Sequence, residues 1–205
     1  MKLWLFDILA CPIDKYFPLK LFIFSYVEGK IEFESFLETF NSRDYKKINQ
    51  ENLIQISKNG EKIKDQIVLE KIFIKDYLKA IISSIKELEN IEDRSSNQNS
   101  KECLKLLNSK VKKNILEFSE NHNYLEINSI LPDLYLLNKI KVDAEIKRGI
   151  LFCEKCQRWY PIIDTIPRML PDKYRDIDEE KRFLKENKDY LDEAFLQLNL
   201  KPFNL

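Results

Sequence analysis

The 205-residue sequence is poor in the residues on which most enzymes of its size rely. A single histidine, His122, leaves almost no material for Ser-His-Asp, Cys-His or histidine-rich metal sites. The three glycines, Gly29, Gly60 and Gly149, are too scattered for a G-x-G-x-x-G or Walker-type cradle, which argues against a Rossmann or P-loop nucleotide enzyme. There is no charge excess, because 34 Lys+Arg meet 34 Asp+Glu. A protein whose main task is to neutralise phosphates carries a basic surplus, so only a local basic patch is open to this chain. Four cysteines are too few for a disulfide scaffold. Long apolar runs are missing as well. Leu21 to Val27 is the longest, against the roughly 18 residues that a spanning helix needs. Ile8-Leu9-Ala10-Cys11 has the outline of a lipoprotein cleavage box, but the apolar stretch before it is short, carries Asp7 and is followed by Pro12. The expectation is a cytoplasmic protein with reduced thiols and no membrane segment.

What is present reads as globular, with 44% hydrophobic and 12% aromatic residues. The prolines cluster at the two ends, and none lies between Pro18 and Pro132. Helices form most easily in such a proline-free middle. Leu3 to Leu9 is a short apolar segment, Cys11-Pro12 a turn, and Leu19 to Val27 a strand. Phe33, Phe36, Leu37 and Phe40 follow at helical spacing. Asn59-Gly60 predicts a hairpin between Leu53–Lys58 and Glu61–Val68, with Ile56 opposite Ile63 and Ile54 opposite Asp65. Ile74 to Leu88 and Leu104 to Phe118 read as one-faced helices, separated by a polar loop over Asp93 to Ser100. Pro132 opens a third helix through Ile140. From Gly149 the pattern becomes strand, Cys153-x-x-Cys156, strand and turn. Beyond Pro171, Phe183, Leu184, Tyr190, Leu191, Phe195 and Leu198 outline an amphipathic tail helix on a charged background.

The expected fold class is α+β. Both chain ends build a small antiparallel β module (1–40 and 146–172), a mainly helical subdomain (41–145) is inserted, and a helical tail (173–205) follows.

The sharpest local motif is Cys153-Glu154-Lys155-Cys156. Two intervening residues let two thiolates reach one tetrahedral ion from a knuckle between strands. A thioredoxin-like pair needs a helix at the first cysteine, whereas Gln157 to Pro161 reads as a strand, so the metal knuckle is favoured over a redox pair. Two small buried residues are the bland alternative. Cys11-Pro12-Ile13-Asp14 has the same spacing, with aspartate where a second cysteine belongs. Aspartate can ligate zinc, although closed structural sites favour sulfur and imidazole. Cys11, Asp14, Cys153 and Cys156 therefore either hold one ion, or leave Asp14 to hydrogen bonds. Cys103 reads as core, and Asn121-His122-Asn123 as a solvated loop. No nucleophile has a base nearby, so no catalytic constellation is readable from the residues.

Taken together, Met1-Lys2-Leu3, Leu9-Ala10-Cys11-Pro12, Phe17-Pro18-Leu19, Cys153-x-x-Cys156, Tyr160-Pro161-Ile162 and Ile166-Pro167-Arg168-Met169-Leu170 resemble a known family. It is the small zinc-binding activator subunit of methyltransferases shared by archaea and eukaryotes, whose short bacterial relatives lack the insert. The resemblance covers roughly residues 1–30 and 146–172. It implies a non-catalytic partner and not an enzyme, a zinc-ribbon-like module with Zn2+ as cofactor, and a heterodimer with one or more Rossmann-type S-adenosylmethionine-dependent methyltransferases. Such a partner modifies tRNA, rRNA or a translation release factor, and nucleic acid is met only through it. The activator covers an apolar face of the enzyme and helps its S-adenosylmethionine site. The implied partner-binding residues are Ile163, Thr165, Ile166, Pro167, Arg168, Met169 and Leu170, an apolar, proline-bounded run suited to strand addition. The sequence departs from the family at Asp14, in a longer insert carrying the Asn59-Gly60 hairpin, and in the tail. Lys147, Arg148, Lys155, Arg158 and Arg168 would instead suit a zinc-ribbon nucleic-acid binder, the alternative from another class.

Overall fold

A computed structural model describes residues 1–29, 32–121 and 124–203, and His122 lies outside them. The chain is α+β and divides into two compact units. Unit one comprises Met1–Glu28, Asn90–Asn97 and Glu145–Leu205; unit two comprises Gly29–Glu89 and Gln98–Ala144.

Unit one starts with a single helical turn, α1 (Leu3–Phe6), and is built on a five-stranded sheet. Its strands are β1 (Lys20–Tyr26), β5 (Ile91–Asp93), β6 (Ile146–Cys153), β7 (Arg158–Ile163) and β8 (Ile166–Pro167), in the order β5-β1-β6-β7-β8. Neighbours are antiparallel except β1 and β5, which run parallel. Ile91 to Asp93 carries no alternation of its own and enters the sheet by pairing with Leu21 to Ile23. The continuous apolar run of β1 follows from burial on both faces, since Leu21, Phe22, Ile23 and Phe24 are all buried. Gly149 sits opposite Ile23. A Cβ there would come within 2.5 Å of the Phe22 carbonyl oxygen, so only glycine allows β6 this approach.

The tail covers one face of this sheet. Phe22, Phe24, Ile150, Phe152 and Trp159 form a cluster with Phe183, Leu184, Leu191, Phe195 and Leu200. It is not one amphipathic helix but two short ones, α8 (Ile177–Glu186) and α9 (Glu193–Leu196). Asp176 caps α8 through the Glu179 N–H at 3.0 Å, and Asp192 caps α9 through the Phe195 N–H at 2.6 Å. These two aspartates explain the break. Arg175 pins the tail. Its guanidinium is ion-paired with buried Glu180 and lies 5.0 Å from the Trp159 ring, 5.4 Å from Tyr160 and 5.3 Å from Phe203.

Unit two contains α2 (Phe33–Asn41), α3 (Tyr45–Glu51), a small sheet of β2 (Gln55–Ile56), β3 (Lys62–Lys64) and β4 (Ile72–Phe73), then α4 (Ile74–Glu87). A helical run from Gln98 to Asn121 follows, made of α5 (Gln98–Leu106), a π turn and α6 (Lys112–Asn121); α7 (Leu131–Asn138) carries Pro132 in its first turn. The expected loop over Asp93 to Ser100 is therefore shorter, because α5 already begins at Gln98. The hairpin pairs Ile56 with Ile63 in the expected register. The expected facing of Ile54 and Asp65 does not form, because Asp65 leaves the ladder. Its buried carboxylate accepts from the N–H groups of Ile67 and Val68, from the Tyr77 hydroxyl at 2.6 Å and from the Asn138 amide at 2.8 Å. Four donors satisfy a buried charge that a strand position would have stranded.

Candidate metal centre and edge strand

Two knuckles of the same design meet in unit one. In the first, the Lys15 N–H donates to the Cys11 carbonyl at 2.9 Å, with Lys15 at φ 59°. In the second, the Gln157 N–H donates to the Cys153 carbonyl at 2.8 Å, with Gln157 at φ 57°. The left-handed residue turns the chain back and leaves the first and fourth side chains of each knuckle on one side. Cys11 and Cys153 are buried, while Asp14 and Cys156 are partly exposed.

The four donor atoms lie within 4.8 Å of one another and form a group that can hold a metal ion. The Cys11 and Cys156 sulfurs are 3.7 Å apart, and the Cys153 sulfur is 3.7 and 3.8 Å from the two Asp14 oxygens. A tetrahedron with metal–sulfur bonds of about 2.3 Å has edges of about 3.8 Å, so the residues fit a tetrahedral ion. Burial pushes the Cys153 thiol up to about 12. Burial would also raise the Asp14 carboxyl, but hydrogen bonds from the Cys11 thiol and the Tyr16 N–H, with Lys155 nearby, hold it below its usual value. Asp14 is thus an anion facing thiols, which is the polarity a cation needs. Tyr160 is a neighbour that the motif did not reveal. Its hydroxyl is 3.3 Å from the Cys11 sulfur. The fourth thiol, Cys103, is buried in unit two, as a core role predicts.

Beyond Cys156, β7 turns at Asp164 (φ 45°) and Thr165 (φ 70°) into β8, the terminal strand. Ile163 is half-buried and packs against the tail-covered cluster, and the Thr165 N–H donates to the Lys147 carbonyl at 3.0 Å. Pro167, Arg168 and Met169 are half-buried; Ile166 is 62% and Leu170 is 44% exposed. Four apolar side chains near the start of the chain are exposed too: Trp4, Ile8, Ile13 and Phe17. Their helical or turn positions gave no sequence signal of exposure.

The segment from α1 through both knuckles to the end of β7 lies within a match to the family model described as Trm112p-like protein, over residues 2–164. The chain belongs to the Trm112p-like family. Membership supports a methyltransferase-activator role in general, and the family is one of activators, not of catalysts. No curated protein and no solved structure matches this Trm112p-like chain. Among the described residues no helix is long and apolar enough to cross a membrane.

Proposed function

We propose that the chain is a non-catalytic activating and stabilising subunit of S-adenosylmethionine-dependent methyltransferases acting on tRNA, rRNA or a translation factor. It works in the cytoplasm as one half of a heterodimer with a Rossmann-type enzyme, and meets nucleic acid only through that enzyme. The carrying observation is the exposure of Ile166 on the last strand of a sheet and of Leu170 in the segment just beyond it. A short, proline-bearing edge resists self-association, yet can accept a partner strand whose side chains cover the two apolar residues. Thr165, Pro167, Arg168 and Met169 shape this edge, Ile163 anchors it, and Trp4, Ile8, Ile13 and Phe17 add apolar surface in the same unit. Cys11, Asp14, Cys153 and Cys156 hold Zn2+ as a structural staple between the chain ends, contributing on the order of 10 kcal/mol to folding.

The nucleic-acid alternative needs a free basic stripe. Arg158 is paired with Asp172, Arg168 with Glu179, and Arg148 lies 3.8 Å from Glu186. Asp172 and two tail carboxylates thus pair with three of the five side chains that would make it. The test is affinity capture of the tagged full chain from its host, with mass spectrometry of stoichiometric partners. Recovery of methyltransferases supports the reading; ribosomes or nucleic acid without such an enzyme would overturn it in favour of the alternative.

A further inference from the structure

The thiols of the four-donor group are not equivalent. Cys156 is partly open to solvent, whereas Cys11 and Cys153 are buried. Cys153 faces the Asp14 carboxylate. Cys156 has the Cys153 sulfur within 4.8 Å and faces Cys11 at 3.7 Å, although Cys11 and Cys156 lie 145 positions apart in the chain. A disulfide bond is about 2.05 Å long, so closing this pair asks for a movement of less than about 2 Å, within reach of side-chain rotation in two turns.

We propose that Cys11 and Cys156 form a reversible disulfide on exposure to hydrogen peroxide, joining the two ends of the chain covalently. The accessible Cys156 sulfur attacks one peroxide oxygen and the O–O bond breaks. One oxygen stays on sulfur as a sulfenic acid, and the other leaves as water with the thiol proton. The Cys11 sulfur then attacks the Cys156 sulfur. The S–O bond breaks, and the hydroxyl departs as a second water with the Cys11 proton. Two thiols have lost two electrons and the peroxide has gained them; a dithiol reductant reverses the step by exchange. The bond removes two of the four donors, so oxidation and metal binding exclude one another. This gating rests on the metal reading given above, whereas the disulfide itself does not.

The experiment uses the full chain, stripped with EDTA, exposed to hydrogen peroxide and quenched with N-ethylmaleimide. A bond spanning 145 positions compacts the denatured chain and speeds its migration on a non-reducing gel, whereas a Cys153–Cys156 bond leaves migration unchanged. The expected result is a faster band that dithiothreitol abolishes, and a linked Cys11–Cys156 peptide by mass spectrometry. Cys153→Ser keeps the band and Cys156→Ser loses it. A dominant Cys153–Cys156 peptide, an uncoupled sulfinic acid on Cys156, or unmodified thiols would each overturn the proposal. Prior loading with Zn2+ slows the cross-link at least tenfold; equal rates would sink the gating and the metal reading while the disulfide stands.

Discussion

Lys15 and Gln157 occupy equivalent places in the two halves of one site. Each is the fifth residue of its knuckle, each has φ close to 58°, at 59° and 57°, and each returns its N–H to the carbonyl of the first cysteine. Neither is glycine, so both carry the strain of a left-handed side chain, about 1 kcal/mol apiece. A β-branched residue is worse there than a straight one. Lys15→Val and Gln157→Val are therefore expected to lower stability by about 1–2 kcal/mol each and to weaken metal retention, whereas the glycine variants are tolerated. Thermal melts with and without EDTA decide this; valine variants melting like the parent would show that the turn is not what positions the donors.

Asp14 is the donor that departs from a four-sulfur set. A carboxylate oxygen holds a borderline-soft ion less firmly than a thiolate does. Asp14→Cys should then tighten zinc roughly tenfold or more, equivalent to about 1.4 kcal/mol. Asp14→Ala should release zinc to a chelator that the parent resists. Competition against a chromophoric chelator reads both. Unchanged affinity in the cysteine variant would mean that Asp14 is a hydrogen-bond acceptor and not a ligand.

The four donors were legible because two-residue knuckles are local, and so were β1, the Ile56–Ile63 pair and the proline-led α7. What escaped was set by distant partners. The parallel strand β5 exists because Leu21 to Ile23 offers it a ladder, not because Ile91-Glu92-Asp93 favours extension. Tyr160 meets Cys11, and Arg175 meets Trp159 and Phe203, across separations that no periodicity encodes. Other helix starts are marked locally by capping aspartates. Asp44 caps α3 through the Lys47 N–H at 3.0 Å, and Asp176 and Asp192 mark the two tail helices.

Arg175 and Glu180 are a buried ion pair, with side chains 0% and 3% exposed. Removing one partner leaves the other charge without compensation, at a cost of about 3–5 kcal/mol. Arg175→Ala should therefore loosen the tail and expose the Phe22–Trp159 face, read as dye binding and faster proteolysis after Pro171. Arg175→Met with Glu180→Leu should recover most of the loss, because the cage is already aromatic. If the single variant resists protease like the parent, the pair does not hold the tail.

Asp133 supplies a pH dependence whose sign is fixed by its surroundings. It is 1% exposed on α7 and accepts from the Asn114 amide at 2.8 Å. Burial pushes its carboxyl above the ordinary value, despite that hydrogen bond and nearby Arg43. The folded chain then holds this proton more tightly than the unfolded one. Its contribution to stability falls as pH rises from the unfolded value through the folded one. Asp133→Asn removes that decline, so the variant should match or exceed the parent at pH 7 and lose its advantage in acid. Urea titrations at two pH values measure the difference; a variant less stable at pH 7 would show that the charge is favourable where it lies.

Ile166 tests the edge strand without disturbing the fold. It is 62% exposed, so lysine there adds no buried charge, and the melting temperature should stay within a degree or two of the parent. Met169 is half-buried and is a poorer probe, since its replacement by lysine strains the unit itself. In a dry partner interface, Ile166→Lys places an ammonium against apolar surface, a change that costs a few kcal/mol and lowers affinity by at least a hundredfold. Co-purification of the methyltransferase should vanish while circular dichroism and zinc content remain. Retention of the partner by a well-folded Ile166→Lys chain would move the interface away from β8, with Trp4, Ile8, Ile13 and Phe17 the next surface to substitute.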